Sequence, residues 1–287
     1  MKVSVIQGNI DQDKKWDEQY RDETLSLYEK LTRKASESRP DLIVWPETAV
    51  PFLFEREIRY QERLKEFVSA IHIPLLFGSP ALDRAAGENE WYNSAYLLDS
   101  DGRLVNRYDK INLVPFGEYI PFHSLLFFVN KITEGIGDFK PGKRTTVFEI
   151  PGHPVGTLIC FEVIFPELFR KFVDRGAVLM TTMTNDAWFG ATSAPYQHFS
   201  MVVFRALENR TPVARAANTG ISGFIDSRGH ILATSPLFVS AEMTQDLPFF
   251  EERSFYTRYG DLFGWCTLLI GSILIGITII RRKRHAG

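Results

Sequence analysis

The sequence predicts an α/β domain in which two sheets pack face to face between outer helices, followed by one C-terminal helix that crosses a membrane. Three observations carry this expectation. Short apolar, β-branched runs alternate with helical patterns along most of the 287 residues. There are eleven such runs, too many for one open sheet of ordinary size. Finally, residues 262–280 hold nineteen positions without a charge, closed by Arg281, Arg282, Lys283 and Arg284.

In chain order, strands are expected at residues 3–7, 42–45, 75–78, 94–98, 104–108, 146–150, 155–160, 178–184, 213–217, 223–226 and 231–233. Helical spacing fills residues 16–36, 56–70, 166–174 and 196–209. The early strand–helix–strand units require parallel pairing. Turn chemistry at Ser100-Asp101-Gly102 and Ser227-Arg228-Gly229 instead closes antiparallel hairpins, so the sheets are mixed. No repeat or flexible linker interrupts the chain before residue 245, and residues 1–250 read as one catalytic domain.

Residues 262–280 as a helix extend roughly 28 Å, close to the thickness of a hydrocarbon core. The cations at 281–284 place the basic tail, residues 281–287, on the cytoplasmic side and the domain outside. Residues 1–10 show no apolar core of a secretory signal, so the expectation is that this chain is the C-terminal part of a larger polytopic protein.

A formal net charge of −2 gives no electrostatic footprint for nucleic acid. Two cysteines are too few for a disulfide framework, and Cys266, inside the apolar segment, reads as a small apolar residue. No Cys/His spacing suits zinc and no Gly-rich loop cradles phosphate, so neither metal nor cofactor is expected. Phe52-Leu53-Phe54, Ile120-Pro121-Phe122, Leu125-Leu126-Phe127-Phe128-Val129 and Trp188-Phe189 are unusually apolar for loops. A buried core position is the commoner use of any single aromatic. A long loop this apolar beside a membrane anchor reads as touching lipid or an acyl chain.

Three residues close strands with side chains fit for chemistry. Cys160 ends an apolar strand and precedes a helix opened by Pro166, where backbone N–H groups favour thiolate. Glu47, in Trp45-Pro46-Glu47-Thr48, can take a proton from a thiol and return it to a leaving group. Lys110, in Tyr108-Asp109-Lys110, can stabilise a developing oxyanion. Singly, each has an ordinary explanation as a buried cysteine, a loop glutamate or a surface lysine. Their convergence at strand ends favours a shared site.

In order and context, Glu47, Lys110 and Cys160, 63 and 50 residues apart, resemble the Glu–Lys–Cys triad of the nitrilase (carbon–nitrogen hydrolase) superfamily. That resemblance implies an α-β-β-α sandwich. The closer similarity is to the apolipoprotein N-acyltransferases. It runs through Trp45-Pro46-Glu47-Thr48-Ala49-Val50-Pro51, Leu113-Val114-Pro115-Phe116-Gly117-Glu118-Tyr119-Ile120-Pro121 and Ile159-Cys160-Phe161-Glu162. Thr184-Asn185-Asp186-Ala187-Trp188-Phe189-Gly190, Gln197-His198, Arg205-Ala206 and Asn218-Thr219-Gly220-Ile221-Ser222 extend it. Phe161 stands where that family carries tyrosine, and a bundle of transmembrane helices precedes the domain there.

The resemblance implies an inner-membrane enzyme with its catalytic domain on the periplasmic side. A phospholipid would donate its sn-1 acyl chain to Cys160 as a thioester, and a diacylated apolipoprotein would accept it at the α-amino group of its N-terminal diacylglyceryl-cysteine. Lys110 would hold the oxyanion, Glu118 would orient Lys110, and Glu162 would either orient the site or cap the following helix. Trp188, Phe122 and Phe52 would contact the acyl chain and exclude water. His198 could form a dyad with Cys160, but a packed helix histidine is the commoner case. Two other readings compete: an amidase for a small C–N substrate, which would turn over simple amides, and a catalytically silent membrane-anchored binding domain, which would form no thioester.

Overall fold

The computed structural model describes residues 1–85, 88–120, 138–250 and 252–285. Two six-stranded sheets form the centre. The first contains β1 (Lys2–Gln7), β2 (Leu42–Val44), β3 (Leu75–Ala85), β4 (Glu88–Leu98), β5 (Leu104–Asp109) and β12 (Ala241–Asp246), in the order β12-β1-β2-β3-β4-β5. The second contains β6 (Phe148–Ile150), β7 (His153–Ile159), β8 (Leu179–Thr184), β9 (Val213–Ala217), β10 (Gly223–Ile225) and β11 (Ile231–Thr234), in the order β11-β10-β9-β8-β7-β6. In each sheet three parallel strands carry antiparallel neighbours at both ends, as the mixture of crossovers and turns predicts.

The period-two pattern explains the layering. Val3, Val5, Leu42, Val44, Leu76, Ala95 and Leu97 of the first sheet share one core with Phe148, Val155 and Leu179, which face the same way in the second. Intervening residues Ile6, Ile43, Trp45, Phe77 and Tyr96 face the other way. There they meet α2 (Arg21–Ser36) and α3 (Ile58–Ile71) through Leu25, Tyr28, Leu64 and Phe67. Fully burying each of these large side chains contributes about 1.5–3 kcal/mol. The Trp45 Nε1–H also donates to Thr32 Oγ1 at 2.8 Å, so the indole brings no unsatisfied donor into the core. On the opposite face α4 (Pro166–Asp174) and α5 (Ala194–Asn209) cover the second sheet through Phe169, Phe172, Phe199 and Val202.

Three strands differ from expectation. β12 runs Ala-Glu-Met-Thr-Gln-Asp, too polar to read as a strand, because it edges the first sheet and pairs with β1 on one side only. Ser4 Oγ and Thr244 Oγ1, 2.7 Å apart, bond across that pair. The β3–β4 pairing also continues through polar residues to Ala85 and Glu88, beyond the apolar halves visible in sequence.

Short helix α1 (Gln12–Lys15) follows β1, and α6 (Phe255–Tyr259) leads into α7 (Leu262–His285). Among the described residues α7 is the one helix long and apolar enough to cross a membrane, with mean hydropathy 2.2 over the span. Its side chains are exposed, Phe263 at 81 % and Trp265 at 70 %, as an all-round apolar helix outside the core requires.

Candidate active site

Glu47, Lys110 and Cys160 follow β2, β5 and β7, and Asn185 follows β8. Because both sheets present these strands' carboxyl ends to one edge, the four residues line a single cavity of about 560 Å³. Gly78 on β3 lets the turn carrying Glu47 come close: a Cβ there would lie 2.4 Å from the Thr48 nitrogen and 2.8 Å from the Glu47 Cα. Thr48 itself has φ +51°.

Glu47 is buried and each carboxylate oxygen has partners. Oε1 accepts from Asn93 Nδ2 at 2.8 Å and from Lys110 Nζ at 3.4 Å. Oε2 accepts from the Asn185 backbone N–H at 2.9 Å. Asn93 uses its second amide hydrogen on Glu118 Oε1 at 2.8 Å, bridging the two carboxylates. Glu118 Oε2 lies 3.0 Å from Lys110 Nζ and accepts the Val114 N–H at 2.8 Å. Burial alone would lower Lys110, but the charges of Glu118 and Glu47 outweigh it and hold the ammonium above its ordinary range. Lys110 is therefore a fixed cation, 1 % exposed, between two carboxylates.

Cys160 opens the helical turn Cys160–Ile164 with φ +53°, a left-handed conformation unusual for a residue with a Cβ. A sharp strand-to-helix turn of this kind pushes a side chain up at the sheet edge. Burial, and then the negative charge of Glu47, push the thiol up to about 12, against the pull of Lys110 and a hydrogen bond with Thr184. A standing thiolate is thus disfavoured.

Glu162 does not reach into this cavity's polar centre; it ties its walls together. Oε1 accepts from Tyr108 Oη at 2.8 Å, Ile111 N at 2.7 Å and Asn112 N at 3.1 Å, while Oε2 accepts from Ile159 N at 2.8 Å. It both caps the turn after β7 and fixes the segment carrying Lys110, so the two roles considered for it are one. Complete burial pushes its carboxyl up to about 7.

Trp188, 52 % exposed, lines the cavity mouth with Phe189, Met201 and Ile164. Phe52 is a correction. Its ring is 4 % exposed, stacks against Tyr60 at 4.8 Å and belongs to the core under α2 and α3, so it does not line the cavity. Phe122 and the segment 125–129 lie outside the described residues. His198 lines the cavity, but its Nε2 faces the Cys160 carbonyl oxygen at 3.1 Å, which uses that nitrogen on the backbone.

Sequence reasoning missed Lys15, Asn93 and Asn185. Lys15 Nζ donates to the Glu47 carbonyl oxygen at 3.0 Å. Burial lowers Lys15 to about 8, against the opposing charges of Glu47 and Cys160. A lysine in a short polar helix carries no local mark of burial. Asn93 was hidden because it sits mid-strand, in β4, rather than at a strand end.

A model of the carbon-nitrogen hydrolase family matches residues 2–247. The chain belongs to that family. Apolipoprotein N-acyltransferase of Geobacter metallireducens is 48 % identical over 285 residues, covering 99 % of this chain and 55 % of that protein. The protein of the same name from Chlorobaculum tepidum is 33 % identical over 307 residues, with 99 % and 58 % covered. This chain thus spans about half the length of these curated relatives. Among solved structures an amidase from Nesterenkonia sp. superposes with a TM-score of 0.64 at 23 % identity, covering 86 % of this chain and 90 % of that one. The two-sheet architecture is therefore the nitrilase-like fold.

Proposed function

We propose that this chain is the catalytic part of a membrane-bound acyltransferase that moves an sn-1 acyl chain from a phospholipid to a diacylated apolipoprotein by way of a thioester on Cys160. One observation carries the reading: a carboxylate, a fixed ammonium and a thiol converge in one cavity whose remaining wall is largely apolar. The names and 48 % identity of the full-length relatives support the choice of substrates.

Glu47 takes the Cys160 proton as the sulfur attacks the ester carbonyl. Lys110, and the backbone N–H groups of the turn after Cys160, stabilise the tetrahedral oxyanion. Collapse releases the lysophospholipid, protonated by Glu47, and leaves the thioester. The α-amino group of the N-terminal diacylglyceryl-cysteine then attacks, Glu47 accepts its proton, and the thiol leaves with that proton restored. Glu118 and Asn93 hold the Glu47–Lys110 geometry throughout. Trp188 and its apolar neighbours accommodate the chain and keep water from the thioester. Residues 262–280 anchor the domain, residues 1–250, on the periplasmic face of the inner membrane, with residues 281–287 in the cytoplasm.

Intact-mass spectrometry of the purified chain incubated with phospholipid in detergent tests this. A fatty-acyl increment is expected, absent from Cys160→Ala and discharged by a diacylglyceryl peptide with a free amine. Turnover of simple amides without any adduct would instead establish a small-substrate amidase, the activity for which the Nesterenkonia relative is named.

A further inference from the structure

Three stretches that the acyl-transfer reading leaves without a task meet behind Cys160: Asp186-Ala187, Gln197-His198 and Asn218-Thr219-Gly220-Ile221-Ser222. Asp186 is 1 % exposed. Its Oδ2 accepts from Arg215 Nη2 at 2.9 Å; its Oδ1 accepts from Thr184 Oγ1 at 2.8 Å and faces His198 Nδ1 at 3.0 Å. Arg215 is wholly buried, donates through Nε to the Ile221 carbonyl at 3.1 Å and also places Nη2 3.1 Å from His198 Nδ1. Gly220 makes room for this pair, since a Cβ there would lie 2.2 Å from Asp186 Oδ2. Burial would raise Asp186, yet Arg215 and His198 hold it down at about 2, so a permanent anion lies 3.0 Å from Nδ1 of the ring.

The other side of the ring meets the nucleophile's own backbone. His198 Nε2 lies 3.1 Å from the Cys160 carbonyl oxygen, and because a carbonyl can only accept, Nε2 carries the proton. That carbonyl belongs to a residue at φ +53°, a strained conformation for a residue with a Cβ, which persists only where the surroundings impose it. We infer that His198 is a positioning residue: its Nε2–H holds the Cys160 carbonyl, and with it the left-handed turn that aims the thiol, while Asp186, Arg215 and the Gly220 loop fix the ring. The inference rests on Cys160 being the nucleophile, and it gives the three stretches one purpose. Arg215 acts through Asp186 and the imidazole, while Asp186 also touches the thiol's surroundings directly, by its own charge and through Thr184.

Glutamine and asparagine at position 198 separate this role from bulk packing. A glutamine amide N–H reaches the position of Nε2, whereas that of asparagine stops short by one methylene. Full-length His198→Gln, His198→Asn and His198→Leu are compared by two readouts. One is the pH profile of iodoacetamide alkylation at the Cys160 peptide, read by mass spectrometry. The other is kcat and KM for acyl-adduct formation from phospholipid. The Asn and Leu variants are expected to lose about a hundredfold in kcat with KM little changed, as for a reacting group misplaced by about 1 Å. Their alkylation profiles shift, because the displaced sulfur feels Glu47 and Lys110 differently, and the Gln variant restores both readouts. Wild-type behaviour of the Leu variant, or equal damage in Gln and Leu, overturns the inference. Equal loss of thermal stability in Gln and Leu also overturns it, since the contact would then support the fold alone. If wild type forms no acyl adduct, the acyl-transfer reading fails, and the alkylation comparison still decides the role of His198.

Discussion

Replacing Glu162 with glutamine should change how stability depends on pH more than it changes stability itself. Burial raises this carboxyl from 4.5 to about 7 in the folded chain. Between those values the folded state binds the proton more tightly than the unfolded state, so stability falls as pH rises through that window and is flat above it. A shift of that size corresponds to about 3 kcal/mol across the window, or about 6–12 °C in midpoint for a domain of this size. Four donors surround the group: the Tyr108 hydroxyl and the N–H groups of Ile111, Asn112 and Ile159. When the acid is protonated, the Tyr108 hydroxyl can turn to accept. Glutamine has no charge to lose, but its amide must point one N–H at a backbone donor, costing about 1–3 kcal/mol at every pH. Glu162→Gln should therefore be less stable than wild type at pH 5 and level with it, or better, at pH 8. Thermal melting of the full chain in detergent at both pH values reads the difference. Parallel pH slopes for wild type and variant would refute the argument, because the titrating group would then lie elsewhere.

Other consequences concern the polar centre. Lys110→Met leaves Glu47 and Glu118 buried around a missing cation, so it should cost about 3–5 kcal/mol of stability in melting experiments as well as abolishing acyl-adduct formation. Glu47→Gln keeps the shape and removes the base; the adduct should form about 10²–10⁴ times more slowly, measured by the same mass increment. Alkylation of Cys160 in wild type should climb about tenfold per pH unit from 7 to 10, following a thiol pushed up to about 12; a plateau near neutrality would mean a preformed thiolate. Gly78→Ala should disturb the turn that holds Glu47 and slow adduct formation, although residue 78 contributes no side chain to the site.

The parts of this molecule that were readable in sequence are those where one residue's neighbours along the chain determine its surroundings. Parallel strands buried on both faces, such as β7 and β8, appear as short runs rich in apolar and β-branched residues, and Pro166 marks the start of α4 without ambiguity. Strand ends mark Glu47, Lys110 and Cys160 for the same reason. β12 was lost because an edge strand needs only one partner and leaves its other side to solvent, so its polar residues cost nothing. Phe52 was misplaced because an aromatic beside a motif looks the same whether it turns toward the cavity or, as here, onto Tyr60 beneath α3. Lys15 and Asn93 acquire their meaning from contacts 32 and 46 residues away, and no local pattern carries that information.

Those two residues also bear on how the site works. Glu47 and Glu118 bring two negative charges into a buried space, and Lys110 alone would leave an excess of one. Lys15, held on the Glu47 carbonyl and lowered to about 8, supplies a second cation near neutral pH without standing between the reacting groups. Burial and the Glu47 charge still outweigh the cations at Cys160, and the thiol remains pushed up to about 12. On the proposed mechanism, attack and proton transfer to Glu47 are then concerted, and the charge created appears on the substrate oxygen, where Lys110 can meet it. On that proposal the sulfur stays protonated until an ester carbonyl arrives, at a cysteine that opens onto an apolar mouth. The raised thiol and the fixed ammonium are therefore parts of one device, and removing Lys15 should shift the onset of Cys160 reactivity to higher pH.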